Sequence, residues 1–354
     1  MKKKKVYFVL SHLGAGGSER VFWILSQYFN KSVYEVSLVL LDARNPFFST
    51  DIEGVNIINL NSIRASHSFF KLYKLIKEEK PFAIFTTGGH INTLLSFVSL
   101  FVEIPTLIGR ESNVMDVMTK MGGFKEKFWD LFVGITYKRF NIAVCQSLEI
   151  KYSLVNHYQI PKRKLVVIPN PVLSIDVPTI NQPQQGKKII LVARLAIEKG
   201  ILRLLKIFKN LPDDYTLTIA GEGPLKKEIL KEINQLQLQN RVQLVGLVPN
   251  ITKLMANHHL MVLSSFTEGF PNVVLESLSV GIPVVSFRVS GVQAIIEPNF
   301  NGYIIDQGDV NNFEKHIIKA CNKKWNHQAI KDDVNTRFSV QKVVKQYETL
   351  LAYR

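Results

Sequence analysis

Two glutamates eight residues apart, Glu268 and Glu276, suggest a site for hydroxyl groups in the C-terminal half of the chain. The residues between them include Gly269, Phe270, Pro271 and Asn272. Glu268 follows a predicted strand, and Pro271 is predicted as the first residue of a helix, whose open N–H groups suit an anion. Carboxylates accept paired hydrogen bonds from neighbouring hydroxyls, so the pattern favours a sugar or ribose as ligand. Two glutamates at this spacing, without the residues Gly269–Asn272 between them, are often only charged residues on the surface of a helix.

Two basic residues, Arg194 and Lys199, flank one short loop between a predicted strand and the next predicted helix. Two fixed cations at that place would offset the charge on a departing pyrophosphate. Considered alone, they would be interpreted as solvated surface residues. Their combination with the paired glutamates favours a functional role.

A glycine-rich loop that includes Gly16 and Gly17 follows the first predicted strand and opens a helix. Glycines at such a place let the backbone approach a phosphate at the helix N-terminus. A dinucleotide site would require a third glycine at the position of Glu19. It would also require an acidic residue after the second strand, which Asp42 could supply. The loop is therefore either a phosphate contact or a plain tight turn.

Short apolar runs alternate with helical patterns along the whole chain. The predicted strands are 6–10, 36–41, 83–86, 106–108, 141–145, 165–168, 189–192, 216–220, 242–244, 260–263, 283–286 and 302–305. The predicted helices include 18–29, 69–79, 94–102, 202–209, 225–237 and 272–280. Continuously apolar strands separated by helices predict parallel sheets covered on both faces. Such sheets bind ligands at the carboxyl ends of their strands, which is where the three loops lie.

The alternation of strands and helices is interrupted once, between Asn170 and Gly186, by prolines, glutamines and an asparagine typical of a linker. We therefore expect an α/β protein with two Rossmann-like domains, 1–170 and 171–354, whose parallel sheets face an interdomain cleft. A ligand would lie in that cleft. A final helix at about 340–352 could pack back onto the first domain.

The composition describes an ordinary globular protein with an unusual charge. The chain has 354 residues, 46% hydrophobic content, two cysteines and a net charge of +15. So apolar a chain is not disordered, and two cysteines exclude a disulfide scaffold and favour a reducing compartment. The apolar runs are too short to span a bilayer, and Val6–Leu10 after the N-terminal lysines is predicted as a buried strand, not a signal peptide.

Taken together, these motifs resemble the family 4 glycosyltransferases. The paired glutamates, the R-x4-K-G loop and the glycines before Glu19 carry the resemblance, supported by Ile168–Val172, Ala220–Pro224, Val245-Gly246 and Gly281–Val285. The resemblance implies a GT-B fold. It also implies transfer of a hexose or N-acetylhexosamine from a nucleotide-sugar, with a UDP-sugar favoured, and retention of anomeric configuration. The acceptor would be a glycan or lipid-linked sugar in cell-surface polysaccharide or glycolipid assembly.

The resemblance also assigns roles to residues. Arg194 and Lys199 would replace a metal at the diphosphate, so neither a metal nor another cofactor is expected. Glu268, with them, would be catalytic and contact the donor hexose, and Glu276 would bind the ribose hydroxyls. The other donor-binding residues would be Gly16, Gly17, Gly269, Phe270, Pro271 and Asn272, the last four through their backbone, and Gly246 and Leu247 near the base.

One element departs from the family pattern. Many relatives end a middle strand of the first domain with a histidine near the reacting carbon, where this chain has Arg110 and Glu111. Arg110, Glu111 or His90 could contact the reaction centre instead, although a structural role is an equal alternative for each. His12, at the end of the first strand, is either a ligand contact or a polar turn residue.

The basic charge has one local explanation in the segment 118–140, where lysines and an arginine alternate with aromatic residues and methionine. Such a segment suits an anionic membrane surface, or else a core helix with a solvated basic edge. A lipid-linked acceptor would place the enzyme in the cytoplasm at the inner face of the cell membrane.

Three other classes of protein remain as alternatives. A nucleic-acid-binding protein would explain the charge, but no recognised binding module is present and no nucleic-acid partner is expected. A Rossmann oxidoreductase would leave Arg194, Lys199 and the paired glutamates without a role. A sugar-nucleotide epimerase of the same fold is the nearest rival, and product analysis would separate it from a transferase.

Overall fold

The computed structural model describes residues 2–62, 65–112, 133–173 and 186–352. The chain divides into two compact units, one comprising Met1–Pro171 with Val340–Arg354 and the other Val172–Ser339. Each unit holds one parallel sheet with helices, which confirms the predicted α/β class with two Rossmann-like domains.

The first unit is built on seven parallel strands. They are β1 (Lys4–Leu10), β2 (Tyr34–Leu40), β3 (Val55–Asn59), β4 (Ala83–Thr87), β5 (Leu107–Glu111), β6 (Ile142–Cys145) and β7 (Leu165–Val167). Its helices begin with α1 (Gly17–Tyr28), α2 (Phe69–Glu79), α3 (Gly89–Val98) and α4 (Leu148–Tyr158). Residues 133–139 are also helical. The sheet order is β3-β2-β1-β4-β5-β6-β7.

The second unit repeats this arrangement with six parallel strands. They are β8 (Lys187–Val192), β9 (Tyr215–Ala220), β10 (Val242–Gly246), β11 (Leu260–Leu263), β12 (Val284–Phe287) and β13 (Gly302–Ile305). The helices are α5 (Ile201–Lys209), α6 (Lys226–Gln235), α7 (Ile251–Met255), α8 (Asn272–Ser279), α9 (Val292–Ile295), α10 (Val310–Asn322) and α11 (His327–Arg337). The sheet order is β10-β9-β8-β11-β12-β13.

The last helix, α12 (Val340–Thr349), belongs to the first unit. Its buried residues Val340, Val343, Val344 and Tyr347 recur at helical spacing and form one apolar face. The Tyr347 ring lies 5.8 Å from that of Phe85 on β4, so this face packs on the core of the first unit. The core therefore includes residues from both ends of the chain.

Burial explains which elements could be predicted from the sequence. The last five residues of β1 and of β2 are fully buried, as expected for strands covered on both faces. Strand β3 is absent from the predictions, because it is an edge strand in which only Val55 is fully buried. The predicted helix 94–102 is wrong in its bounds: α3 begins earlier, after Gly88, and ends at Val98.

Both sheets change the direction of their strand order at one point, between β1 and β4 in the first and between β8 and β11 in the second. Connections on either side of such a point run to opposite faces of the sheet, and this leaves a crevice at the carboxyl ends. The glycine-rich loop follows β1, the Arg194–Lys199 loop follows β8, and Glu268 follows β11. The topology therefore positions these candidate residues at switch points.

Candidate active site

Lys199 and Glu268 form an ion pair at the switch point of the second sheet. The distance between Lys199 Nζ and Glu268 Oε1 is 2.8 Å, and both side chains are largely buried. Ser265 Oγ donates a hydrogen bond of 2.6 Å to the same carboxylate oxygen. The two residues stand 69 positions apart, and they meet because β8 and β11 are neighbours in the sheet.

The loop after β8 is held against the loop after β11 by backbone contacts. The amide of Phe266 donates to the carbonyl of Glu198 at 2.8 Å, and Ser264 Oγ donates to the carbonyl of Lys199 at 2.9 Å. Gly200 has φ +62°, and a Cβ there would collide with the Ser264 carbonyl oxygen. Only glycine therefore allows Lys199 to approach the second loop so closely.

Arg203, on α5, stabilises the loop after β11 through hydrogen bonds and ring contacts. Its guanidinium donates to the carbonyl oxygens of Ser264 and Ser265. The guanidinium carbon lies 4.1 Å from the ring centroid of Phe266 and 3.9 Å from that of Phe287. Burial lowers the pKa of Arg203 to about 10, which leaves it charged at neutral pH. A cation stacked between two rings fixes the start of the loop that carries Glu268.

Arg194 has a different carboxylate partner. Its Nη2 donates to Glu198 Oε1 at 2.6 Å, and 67% of the Arg194 side chain is exposed. Partial burial raises the pKa of Glu198, but the hydrogen bond and charge of Arg194 outweigh it, so the pKa is lowered overall. Each of the two predicted cations is therefore paired with an acid, and a bound diphosphate would compete for both.

Glu276 lies on α8, with only 5% of its surface exposed. The helix begins at Asn272, which agrees with the predicted helix 272–280, and Pro271 is its N-cap, not its first helical residue. The Phe270 side chain packs in the apolar core, with its ring 6.2 Å from that of Phe338. The carbonyl of Gly269 accepts a hydrogen bond from Ser290 Oγ. A donor contact by Phe270 would therefore have to use its backbone.

Gly246 ends β10 with φ +70°, and its carbonyl accepts a hydrogen bond of 2.7 Å from the amide of Gly221. The next residue, Leu247, leaves its apolar side chain exposed. An exposed leucine beside a tight backbone turn could cover the flat face of a base. The role of Gly246 and Leu247 near the base stays a prediction.

In the first unit, the glycine-rich loop is filled by an acidic side chain. Gly16 is the N-cap of α1, and a Cβ at Gly16 would collide with the carboxylate of Glu19. The carboxylate thus occupies space directly over Gly16, at the helix end that attracts anions. Gly17 is the first residue of α1, and its surface is exposed.

The charges of this carboxylate and of His12 both act on His90. His90 is exposed near the start of α3, after Gly88, and His12 is exposed in the loop after β1. Partial desolvation lowers the pKa of His90, the charge of His12 lowers it further, and the charge of Glu19 raises it. His12 follows β1 and His90 follows β4, so both histidines lie at the switch point of the first sheet.

Arg110 and Glu111 belong to a buried network. Arg110 is 1% exposed and donates to Asn170 Oδ1 at 2.6 Å and to Thr87 Oγ1 at 3.2 Å. Glu111 accepts a hydrogen bond of 2.6 Å from the hydroxyl of Tyr137. Burial and the charge of Glu111 raise the pKa of Tyr137 well above its ordinary value. These contacts favour the structural alternative for both residues over contact with a reacting sugar.

Asp42, the acid considered for a dinucleotide ribose, pairs with Arg44 in its own loop. Arg44 Nη2 lies 2.7 Å from Asp42 Oδ2, and its Nε lies 3.0 Å from Oδ1. Hydrogen bonds from Arg44 lower the pKa of Asp42 to about 2. The carboxylate therefore has a local partner that does not depend on a nucleotide.

Sequence reasoning missed Ser265, Glu198 and Arg203, which hold the predicted residues in place. The i to i+4 spacing of Arg194 and Glu198 was the one signal for that ion pair. Arg203 carried no such signal, since its carbonyl partners lie about 60 residues away.

Two further features concern metals and membranes. Within the described ranges, no three His, Cys, Asp or Glu side chains are grouped as a metal site would require. No helix in those same ranges is long and apolar enough to cross a bilayer. Of the predicted basic and aromatic segment 118–140, residues 118–132 lie outside the described residues; Lys138 and Arg139 are exposed, whereas Tyr137 is buried.

Comparison with known proteins identifies the family. Residues 15–172 match the family model described as Glycosyltransferase Family 4, and residues 176–334 match that described as Glycosyl transferases group 1. The chain belongs to glycosyltransferase family 4 and is a glycosyltransferase with the GT-B fold.

Individual relatives agree with this assignment. An uncharacterised glycosyltransferase of Methanocaldococcus jannaschii is 28% identical over 89% of this chain and 83% of its own. An α-1,4-N-acetyl-D-galactosaminyltransferase of Campylobacter jejuni, whose name gives a diphospho-undecaprenol-linked glycan as acceptor, is 24% identical over 98% of both chains. Anabaena HepE, solved in complex with UDP-glucose, superposes with a TM-score of 0.79 at 17% identity over 99% of this chain and 100% of its own. At that identity, the likeness to HepE shows the fold alone.

Proposed function

We propose that this glycosyltransferase transfers a hexose or N-acetylhexosamine from a UDP-sugar to a lipid-linked glycan in polysaccharide assembly, with retention of anomeric configuration and without a metal. The observation that carries the proposal is the Lys199–Glu268 pair at the switch point of the second sheet. In this pair a cation, Lys199, lies beside a carboxylate, Glu268, that can accept hydrogen bonds from hydroxyl groups. A sugar diphosphate requires both, one for its phosphates and one for its sugar.

The second unit would supply the groups that act on the donor. Lys199 and Arg194 would exchange their carboxylate partners for the diphosphate, whose charge grows as the bond to the sugar breaks. Glu268, released from part of its pairing, would accept hydrogen bonds from hexose hydroxyls. The buried carboxylate of Glu276 would bind the ribose hydroxyls, because vicinal hydroxyls match its two oxygens.

The donor and acceptor classes are supported by the relatives. HepE binds UDP-glucose, which favours a uridine nucleotide as donor here. The name of the Campylobacter jejuni enzyme specifies an acceptor linked to undecaprenol through a diphosphate, and that enzyme aligns over 98% of this chain. A lipid-linked acceptor implies that this enzyme works in the cytoplasm at the inner face of the cell membrane.

A panel of UDP- and GDP-sugars tests the proposal, first by thermal stabilisation and then by transfer. A ligand that binds only the native state raises the melting temperature, so UDP-sugars should raise it and GDP-sugars should not. Transfer to a diphosphate-linked lipid acceptor should release UDP, persist in EDTA and yield a product whose anomeric configuration matches the donor by NMR. Stabilisation by GDP-sugars alone would contradict the uridine nucleotide, and an inverted product would contradict retention. Loss of activity in EDTA would contradict the absence of a metal.

A further inference from the structure

The strands of the first sheet begin beside basic residues that are scattered in the sequence. Lys2–Lys5 lead into β1, Lys138 and Arg139 precede β6, and Lys162–Lys164 precede β7. Because the strands are all parallel, their first residues share one edge of the sheet, opposite to the edge that carries the glycine-rich loop. We call these residues the basic edge.

Within the basic edge, Lys5 is paired with Glu79, whereas the segments that carry Lys138, Arg139 and Lys162–Lys164 contain no acid of their own. Residues 133–148 and 159–173 contain no Asp or Glu. Lys164 Nζ donates to the carbonyls of Lys138 and Phe140 at 2.7 and 2.9 Å, which joins the starts of the two strands. Partial burial lowers the pKa of Lys164, and the charges of Arg163 and Arg139 lower it further. The cations are therefore close enough to repel one another and would be stabilised by an external anion.

Exposed apolar side chains lie next to these cations. Arg139 Nη2 donates a 3.0 Å hydrogen bond to the carbonyl of Ser99, the residue before Leu100 and Phe101. Leu100 is 55% exposed and Phe101 is 65% exposed. The Phe101 ring contacts that of Phe69 at 5.6 Å, and Phe69 in turn contacts Phe70, which is 77% exposed.

We propose that the basic edge, together with Leu100, Phe101 and Phe70, docks on a membrane that contains anionic phospholipid. Aromatic side chains flanked by lysine and arginine insert at the boundary between headgroups and acyl chains, while the cations bind the headgroups. A nucleic-acid duplex would use the cations, but its stacked bases would leave Leu100, Phe101 and Phe70 without a partner. A second copy of the chain would bring like charges together across the contact.

The position of the surface sets how far a lipid-linked acceptor must reach, and to that extent the proposal rests on the proposed function. Strands β5 and β6 have five and four residues, so the carboxyl edge lies about 13–17 Å beyond the basic edge. An acceptor anchored in the membrane would have to carry its reactive sugar at least that far. Docking itself is a separate property and is measured without donor or acceptor.

Vesicle flotation tests the docking. The full chain should float with vesicles of phosphatidylcholine mixed with phosphatidylglycerol and remain unbound with phosphatidylcholine alone, and added salt should weaken the binding. Each cation near an anionic surface contributes about a fivefold increase in partitioning. The double variant R139Q/R163Q should therefore bind the mixed vesicles about 25-fold less, and F70S/F101S should also bind less.

Matched controls distinguish binding through this surface from the effects of overall charge and of exposed apolar side chains elsewhere. K227Q/K231Q removes the same net charge from exposed positions on α6, and L230S removes an exposed apolar side chain from the same helix. Both controls should bind vesicles like the parent chain, and circular dichroism should show all variants folded. Equal losses in controls and edge variants would overturn the proposal.

Three other results would also overturn it. The first is equal binding to neutral and mixed vesicles by the parent chain. The second is binding to nucleic acid, but not to vesicles, that disappears in R139Q/R163Q. The third is a change of oligomeric state in the edge variants without any vesicle binding by the parent chain. Failure of sugar transfer would refute the proposed function and leave the flotation result standing.

Discussion

The ammonium group of Lys199 lies 2.8 Å from Oε1 of Glu268, on loops that follow two neighbouring parallel strands. The contact joins the residue proposed to stabilise the leaving diphosphate with the residue proposed to bind the hexose. In the structure each side chain neutralises the charge of the other. Donor binding must therefore break the Lys199–Glu268 ion pair and replace it with a contact between Lys199 and the diphosphate and a contact between Glu268 and the hexose.

Replacing Lys199 with alanine should reduce kcat/KM for transfer about 100-fold or more, because a preorganised donor to the developing charge is lost. The measurement is UDP release with a saturating acceptor. Lys209→Ala, which removes the same charge from an exposed position on α5, serves as the control. Near-normal turnover in K199A, with K209A also normal, would refute the role of Lys199.

Replacing Glu276 with alanine should weaken donor binding, because ribose hydroxyls lose a charged acceptor worth about 1.5–3 kcal/mol. KM for the UDP-sugar should rise about 10- to 100-fold. Glu276→Gln keeps the shape and one acceptor oxygen and should retain part of the affinity. Binding of the donor to E276A with unchanged affinity by isothermal titration calorimetry would contradict the assignment.

Replacing Gly200 with alanine should destabilise the second unit and lower activity together. The left-handed backbone costs about 1 kcal/mol for alanine, and the collision with the Ser264 carbonyl adds to it. Gly308 has φ +90°, and an alanine methyl there would meet no described atom within 4 Å, so Gly308→Ala isolates the backbone cost. Urea denaturation should show a larger loss for G200A; equal losses would mean that the two loops can separate freely.

Replacing Glu19 with glutamine should lower the pKa of His90 further. The carboxylate of Glu19 favours the protonated imidazole, and its removal leaves desolvation and the charge of His12, which both lower the pKa. Titration of the His90 ring by NMR measures the shift, with Glu35→Gln on β2 as a charge-matched control. A His90 pKa that is the same in E19Q and the parent chain would show that Glu19 does not act on this histidine.

The sequence by itself determined the α/β class and the loops that carry chemistry. Apolar periodicity and turn residues are local signals, so the alternation of strands and helices and the positions of Arg194, Lys199 and Glu268 could be predicted without coordinates. The edge strand β3 was not predicted because it is only partly buried. The bounds of α3 were predicted incorrectly because the helix begins at Gly89, before the apolar run from which it was predicted.

Only the tertiary structure decided which of these residues meet. Lys199 reaches Glu268 because β8 and β11 are adjacent, and a linear pattern does not state strand order. Phe270 and Arg110 have sequence contexts typical of a site, yet packing places the first in an apolar core and the second in a buried hydrogen-bond network. The net charge of +15 shows the same division: the sequence counts the cations, but parallel strands that begin at one edge bring Arg139, Arg163 and Lys164 together.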